Sequence, residues 1–271
     1  MLLLFKILLI WFLFTACEAP KDTIQDEGRS LALSSDKMPP SKWKSVDVFP
    51  IKLKYAQNFD ETEIDALENA ATSWERGVDY KMTFFAFDNT TPKEVQKIED
   101  YEDDTLGIYK LNPWPSELPK SALAVTQIFG DRVNSGEDDE YIRIDHADIL
   151  INYEIYTFTT DFSWGYDLHT VVVHEMGHFL GLYHDNTSNE ESIMYPTISR
   201  FDTGRDPKEK DIDNILAKYS LRSDTAQVPQ PSLSPTQRVS ITLELYPGGK
   251  EIIRYKNDNG ANETIIKHCS H

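Results

Sequence analysis

The chain has 271 residues, 27 Lys and Arg against 45 Asp and Glu, a formal net charge of −18, and the 40% hydrophobic content of a folded protein with a sizeable core. Because phosphate and anionic lipid attract basic faces, this acidity argues against nucleic acid as a partner and against electrostatic binding to a membrane. Two cysteines are too few for a disulfide framework or a multi-cysteine zinc module.

Residues 1–16 predict a secretory signal peptide. They are almost wholly apolar and too few for a membrane-spanning helix, which needs roughly 20 residues. Residues 14–17, Phe-Thr-Ala-Cys, resemble a bacterial lipobox, in which cleavage leaves a cysteine that is then lipidated. We therefore expect Cys17 to carry acyl chains that hold the protein on a membrane. The alternative is a plain signal peptide in which Cys17 is incidental.

Residues 17–42 are polar and lack periodicity, which predicts a flexible tether before a folded domain at 43–222. Asp60 and Glu63 have the spacing of a capping box, followed by a helix whose apolar stripe is Ile64, Leu67, Ala71 and Trp74. Two more helices are predicted, one from near Asp167 to Leu182 and one with Pro207 in its first turn. Apolar runs predict strands at 46–56, 81–87, 107–111, 122–129 and 141–152.

The composition changes after the last helix. Residues 223–238 are rich in Pro and Ser, which predicts a linker. At 239–271, an alternating apolar run, a Pro-Gly-Gly turn at 247–249 and a second run at 251–255 predict a β-rich, hairpin-like tail. Because an isolated hairpin is marginal in water, this tail is expected to pack on the main domain or on another partner.

The run His-Glu-Met-Gly-His-Phe-Leu-Gly-Leu-Tyr-His, which begins at His174, carries the chemistry. On a helix, His174 and His178 leave the same face one turn apart, which is the spacing of two zinc ligands. Gly181 can end the helix in a left-handed turn, so that His184 returns as a third ligand. Three histidines leave the fourth zinc position open, as in catalytic sites, and Glu175 can reach a water there without being a ligand.

This run matches the extended zinc motif of the metzincin metalloproteases. Ser-Ile-Met-Tyr-Pro at 192–196 resembles the Met-turn of that clan, and Met194 stands at the position of the methionine beneath the metal. Together with the last helix, the segment most resembles the matrixin branch, here as a bacterial matrix-metalloprotease-like lipoprotein. Asp185 follows the third histidine, where vertebrate matrixins usually carry Ser. The resemblance covers roughly residues 43–221.

The resemblance implies an α+β fold. A twisted, mostly parallel sheet would lie beside an active-site helix and a small C-terminal subdomain. The strand at 122–129 would be the sheet edge that pairs with an extended substrate. Tyr195 and Pro196 would border the pocket for the side chain after the scissile bond. Glu175 would act as the general base toward a water activated by catalytic zinc.

Weaker signals lie outside the motif. The acidic run at 131–140 offers oxygen ligands that suit Ca²⁺, although a solvated acidic loop is the favoured interpretation. His146 and His169 are interpreted as structural or surface residues.

Together the patterns predict an exported, monomeric metalloendopeptidase that acts on protein or peptide substrates. Its lipid anchor would hold it at a bacterial outer membrane, on the periplasmic or the surface face; otherwise it would be secreted. The alternative from another class is a membrane-tethered binding lipoprotein that keeps zinc but does not turn over a substrate.

Overall fold

The structure is a computed structural model that describes residues 38–88, 97–188, 190–221 and 237–247, and the backbone of 250–257 and 262–268. The predicted signal peptide, Cys17, and most of the predicted tether and linker lie outside these residues. The described elements are, in chain order, β1 (Ser41–Trp43), β2 (Ile51–Tyr55), α1 (Glu61–Gly77), β3 (Phe85–Phe87), β4 (Gly107–Leu111), β5 (Ala124–Val133), β6 (Tyr141–Asn152), β7 (Phe158–Thr159), β8 (Tyr166–Asp167), α2 (Leu168–Phe179), α3 (Glu209–Lys218), β9 (Gln237–Leu245), β10 (Lys250–Asn257) and β11 (Asn262–His268). A search of these residues finds no helix with the length and apolar character needed to span a membrane.

One mixed sheet forms the body of the described chain. Its strand order is β11-β10-β9-β5-β6-β4-β2-β3, and β1 pairs with β6 as well. Among β1 to β6 every pair is parallel except β5 with β6, so the predicted mostly parallel sheet applies to this part of the fold. The three C-terminal strands are antiparallel to their neighbours and make the whole sheet mixed.

Helix α1 begins at the predicted capping box. The Asp60 carboxylate accepts a hydrogen bond from the Glu63 N–H (2.9 Å), and the Glu63 carboxylate accepts one from the Asp60 N–H (2.9 Å). The predicted stripe is buried except for Ile64, which is half-buried. At its end, the Trp74 indole N–H donates to the carbonyl of Val173 in α2 (2.9 Å), so α1 is fixed against the helix that carries the histidines.

The fold begins earlier and the tail is larger than the sequence pattern predicts. Ser41, within the predicted tether, is fully buried in β1, and its hydroxyl donates to the carbonyl of Gly181 (3.2 Å). A three-residue strand is too short to leave a periodic signal. At the other end, β9 begins at Gln237, within the predicted linker. The tail contributes three strands, β9 to β11, where the pattern predicts the two strands of a hairpin.

Some predicted elements are shorter in the structure: the strand predicted at 81–87 is only β3, Phe85–Phe87, and the helix predicted to reach Leu182 ends at Phe179. Two further differences lie near a proline. The predicted strand at 46–56 starts with a 3₁₀ turn at Val46–Val48, and β2 begins only after Pro50, which has no N–H to donate to a strand ladder. Pro207 precedes the last helix instead of lying in its first turn, because Lys208 is the N-cap of α3.

Replacing Asp60 by Ala is expected to destabilise the protein by about 1 kcal/mol, because the Glu63 N–H loses its acceptor. The Glu63 hydrogen bond lowers the pKa of Asp60, so the cap contributes fully above the unfolded-state pKa and is lost as the pH falls through the lower, folded-state pKa. Urea unfolding at pH 7 measures the difference. The control is Asp65→Ala, an exposed position in the same helix, with an expected change within about 0.5 kcal/mol. Equal midpoints for the two variants would contradict the capping assignment.

Candidate active site

Helix α2 and the turn after it bring three histidines together. The Nε2 atoms of His174 and His178 lie 3.0 Å apart, one helical turn from each other. The chain then passes through Gly181 at φ +88°, where a Cβ would also lie 2.3 Å from the carbonyl oxygen of Ser41. This turn returns His184, whose Nε2 lies 3.0 Å from that of His178. Within the described ranges, these three histidines form the one group whose ligand atoms lie close enough together to hold a metal ion.

Two backbone carbonyls set the tautomers of the helical histidines. The Nδ1 atom of His174 lies 2.7 Å from the carbonyl oxygen of Ile193, and that of His178 lies 2.7 Å from the carbonyl oxygen of Leu182. A carbonyl can only accept, so the ring proton lies on Nδ1 and Nε2 keeps its lone pair. Burial lowers the pKa of His174 to about 3 and that of His178 well below its usual value, which keeps both rings neutral.

The donor set fits a zinc ion. Ligand atoms about 2.05 Å from a tetrahedral zinc lie about 3.3 Å from one another. Two of the Nε2 pairs are separated by 3.0 Å, and all three atoms lie within 4.8 Å of one another. Imidazole nitrogen suits zinc, whereas calcium and magnesium take oxygen ligands. Three protein ligands leave a fourth position for water or a substrate.

Glu175 places a carboxylate in the same helix, fully buried. The Thr126 hydroxyl, on β5, donates to Oε2 of Glu175 (2.6 Å). The other oxygen, Oε1, is buried and has no hydrogen-bond partner among the described residues. Burial raises the pKa of Glu175 to about 8 despite the Thr126 hydrogen bond. The sequence pattern did not point to Thr126, because only the packing of β5 on α2 brings its hydroxyl to this carboxylate.

Met194 packs under α2 at a position that requires glycine in the helix. A Cβ on Gly177 would lie 2.3 Å from the sulfur of Met194 and 2.9 Å from the Trp74 ring. Met194 is itself buried. The methionine predicted for the Met-turn therefore lies directly against the helical turn between His174 and His178.

Asp211, in the first turn of α3, holds the Met-turn in place. Its carboxylate accepts hydrogen bonds from the Ser192 hydroxyl (2.5 Å) and from the Ile193 N–H (2.8 Å). Since the carbonyl of Ile193 orients His174, Asp211 acts on the metal ligand through one intervening residue. The sequence pattern did not predict this role of Asp211, because its only signal is an acidic residue near the start of a helix.

A cavity of about 350 Å³ opens beside His174. Tyr195, one of the two residues predicted to border a substrate pocket, lines this cavity together with residues of the loop from Thr197 to Gly204. Pro196, the other predicted pocket residue, is buried behind this wall and does not line the cavity.

The strand predicted as the open sheet edge has both edges paired. It forms the first part of β5, which pairs with β6 on one side and with β9 on the other. The expectation of an edge free for substrate was therefore wrong for this structure. The alternating tail was expected to pack on the domain, but its pattern carries no signal for which strand it joins.

The other candidate residues have structural partners. His146 is buried, and its Nε2 lies 2.8 Å from the Asp148 carboxylate. His169 is buried against the Ser73 hydroxyl (3.2 Å). In the acidic run at 131–140, Glu140 pairs with Arg132, Asp131 with Arg143, and Asp139 with Asn134. These carboxylates are directed at neighbouring side chains, which gives calcium no support.

A helix with two histidines, a third histidine after a glycine turn and a methionine packed beneath them form the arrangement of a metzincin zinc site. The sequence model of the Matrixin family matches residues 43–220, more than half of the chain. The chain therefore belongs to the matrixin family.

Individual relatives agree with this assignment. The chain is 42% identical to stromelysin-2 of Rattus norvegicus over 97 residues, which cover 32% of this chain and 20% of that protein. It is 26% identical to stromelysin-1 of Mus musculus over 220 residues, or 76% of this chain and 38% of that protein. It thus spans less than two fifths of the length of these curated relatives. Among solved structures, the chain is similar to high choriolytic enzyme 1, a hatching enzyme zinc-protease of Oryzias latipes. The match has a TM-score of 0.33 and 15% identity, and it covers 66% of this chain and 94% of that chain. This similarity is too remote to support a conclusion.

Replacing His178 by Ala is expected to abolish zinc binding, because its Nε2 lies 3.0 Å from that of each other histidine. Zinc content after dialysis and the rise in Tm on adding zinc measure the loss. The control is His169→Gln, which alters another buried histidine of α2 whose ring contacts Ser73. We expect this variant to keep one zinc per chain. Zinc retained by His178→Ala would contradict the ligand assignment.

Proposed function

We propose that this protein is a zinc-dependent endopeptidase that hydrolyses peptide bonds in proteins. The observation that carries the proposal is the convergence of three imidazole Nε2 atoms beside the buried Glu175, whose Oε1 has no hydrogen-bond partner in the part of the chain that the structure describes. Membership of the matrixin family supports it. A binding protein without turnover is not favoured, because a buried, half-paired carboxylate costs stability and is characteristic of catalytic sites.

The side chains of the site have separate roles in the proposed reaction. When bound, zinc supplies Lewis acidity that polarises the scissile carbonyl and the attacking water. Glu175 takes a proton from that water at Oε1 and passes it to the leaving amine. The Thr126 hydroxyl, bonded to Oε2, keeps the carboxylate turned so that Oε1 remains the reactive oxygen.

The proposed substrate is an extended stretch of protein or peptide. Its backbone would lie along β5 in place of β9, which pairs with that edge of β5 in the structure, and the side chain after the scissile bond would enter the cavity of about 350 Å³ beside His174. The apolar side chains of Ile193 and Ile198 line this cavity, which favours an aliphatic side chain of medium size.

We further propose that the protein is exported and anchored through Cys17 at a bacterial outer membrane. The lipobox-like residues 14–17 at the end of an apolar segment support this location. Acyl chains would keep an acidic protein on a membrane that its charge alone would not bind.

Glu175→Gln is expected to keep zinc and to lower the rate of casein cleavage about 10²- to 10⁴-fold, because the amide cannot accept the proton of the attacking water. Thr126→Val, which keeps the side-chain shape and removes the hydroxyl, is expected to lower kcat while leaving KM and zinc content unchanged. Steady-state kinetics on a casein-derived peptide, with zinc analysis of each protein, measure these effects. Wild-type turnover in Glu175→Gln would overturn the proposed role.

Cys17→Ser is expected to release the protein from the membrane fraction when it is expressed in a bacterium. In the unmodified chain, intact mass should show cleavage before Cys17 and the addition of acyl chains. The control is Cys269→Ser, which leaves the lipobox intact and should remain membrane-bound. A wild-type mass without acyl chains would contradict the anchor and favour the secreted form.

A further inference from the structure

Strand β9, the first strand of the tail, pairs with the edge of β5 that faces the predicted zinc ligands. It runs antiparallel to β5 along its length, with Leu243 opposite Thr126 and Leu245 opposite Ala124. Thr126 is the residue whose hydroxyl holds Glu175. The chain's own tail thus lies where the proposed function puts the backbone of a substrate.

The end of β9 lies in a cleft between β5 with Leu123 on one side and the Pro196–Ile198 segment on the other. Its backbone forms hydrogen bonds to both walls of this cleft. The carbonyl of Leu245 accepts from the Leu123 N–H (2.8 Å). On the opposite wall, the Tyr246 N–H donates to the carbonyl of Pro196 (3.4 Å), and the Tyr246 carbonyl accepts from the Ile198 N–H (3.1 Å). This part of the tail is therefore antiparallel to β5 on one wall of the cleft. It is parallel to the other wall, where Tyr246 forms a β-bridge with Thr197.

The side chains of this segment alternate between two environments. Leu245 is buried, lines the cavity beside His174, and packs with Val171 and Ile198. Tyr246 joins a different apolar cluster and donates its hydroxyl hydrogen bond to the Glu244 carboxylate. Leu245 thus borders the cavity that the proposed function assigns to the side chain after the scissile bond.

We propose that strand β9, with the adjoining Tyr246, is an intramolecular pseudosubstrate, which must leave the cleft before a peptide can bind there. The assignment rests on the proposed function for what the cleft binds. A tethered segment competes at a local concentration in the millimolar range for a short linker, so a peptide in solution binds only to the fraction of molecules whose cleft is open.

The contacts at the far end of the strand would hold it while the cleft end moves. Arg238 pairs with Asp145 (2.5 Å) and with Glu102. Val239 and Ile241 are buried in the main apolar core. These contacts and the pairing with β5 would be enough for a strand that only completes the sheet. The additional hydrogen bonds to Pro196 and Ile198 on the opposite wall are those expected of a segment that lies in the substrate position.

A reversible cross-link tests the proposal within one protein. Gln127 and Thr242 are paired across β5 and β9, and their side chains lie 2.5 Å apart. Opposite residues of antiparallel strands have Cα atoms about 4.5–5.5 Å apart, within the range that a disulfide bridges. We would introduce Gln127→Cys with Thr242→Cys in the full chain from residue 17, with Cys17 and Cys269 replaced by Ser. The single-cysteine variants are the controls.

The readout is binding of a fluorescein-labelled peptide of residues 237–247, followed by anisotropy in a Glu175→Gln background that cannot cut it. We expect the oxidised protein to bind about tenfold or more weakly than the reduced protein, because the disulfide holds the tail in the cleft. The single-cysteine variants should not respond to the reductant. Equal binding in both redox states, or no binding in either, would overturn the proposal.

The same cysteine proteins with Glu175 intact separate this proposal from the proposed function. Casein cleavage that increases on reduction would support both. If the reduced protein binds the peptide but does not cleave casein, the endopeptidase assignment fails while the pseudosubstrate assignment holds. Cleavage unaffected by the cross-link would leave the endopeptidase assignment intact and overturn the pseudosubstrate.

A pair of point variants covers the case in which the disulfide does not form. Leu245→Asn removes an apolar side chain that lines the cavity beside His174, whereas Val239→Asn weakens the same strand opposite Gly130, away from that cavity. We expect about tenfold tighter peptide binding by Leu245→Asn than by Val239→Asn. Equal affinities would mean that only strand stability matters, which contradicts the proposal.

Discussion

The site depends on two hydrogen bonds that hold imidazole rings to backbone carbonyls. The carbonyls of Ile193 and Leu182 accept from the Nδ1 atoms of His174 and His178, which leaves both Nε2 lone pairs directed at one point. Burial keeps the rings neutral, so neither Nε2 carries a proton that would exclude a metal. The helix supplies the spacing, but these carbonyls supply the orientation.

Much of the surrounding fold serves to hold these carbonyls and the helix. Asp211 of α3 fixes the Ile193 segment, and Gly177 admits Met194 against the helix between the two histidines. The buried β1 closes over the Gly181 turn that returns His184. From the sheet, Thr126 orients the Glu175 carboxylate. Elements distant in sequence thus contribute one or two contacts each to a site whose ligands lie within eleven residues.

Local signals in the sequence predicted the elements that have local causes. The capping box of α1 is present, and β6 has the bounds that its Ile-rich run indicated, 141–152. The metal-site geometry follows from helical spacing and one glycine. The sequence pattern could not indicate Thr126, Asp211 or the pairing of β9 with β5, because each depends on contacts between segments 18 to 121 residues apart. Such pairings leave no periodicity in either partner.

The pairing of β9 also changes what the fold implies for function. In this structure, the cleft between β5 and Pro196 holds the extended backbone of Leu245 and Tyr246, which is hydrogen-bonded to both walls. The domain therefore combines a zinc site with a segment of its own chain in the proposed substrate position. Control of access to the cleft would then lie in β9, which follows the matrixin domain in sequence, whereas the predicted signal peptide and tether precede it.

The central claim is that three imidazoles hold one zinc and leave a position for chemistry. X-ray absorption at the zinc edge of the zinc-loaded protein tests it most directly. The account predicts three nitrogen neighbours at about 2.0–2.1 Å with imidazole scattering, plus one oxygen neighbour. A fourth nitrogen or a sulfur neighbour at about 2.3 Å would describe a closed, structural site and would contradict the account.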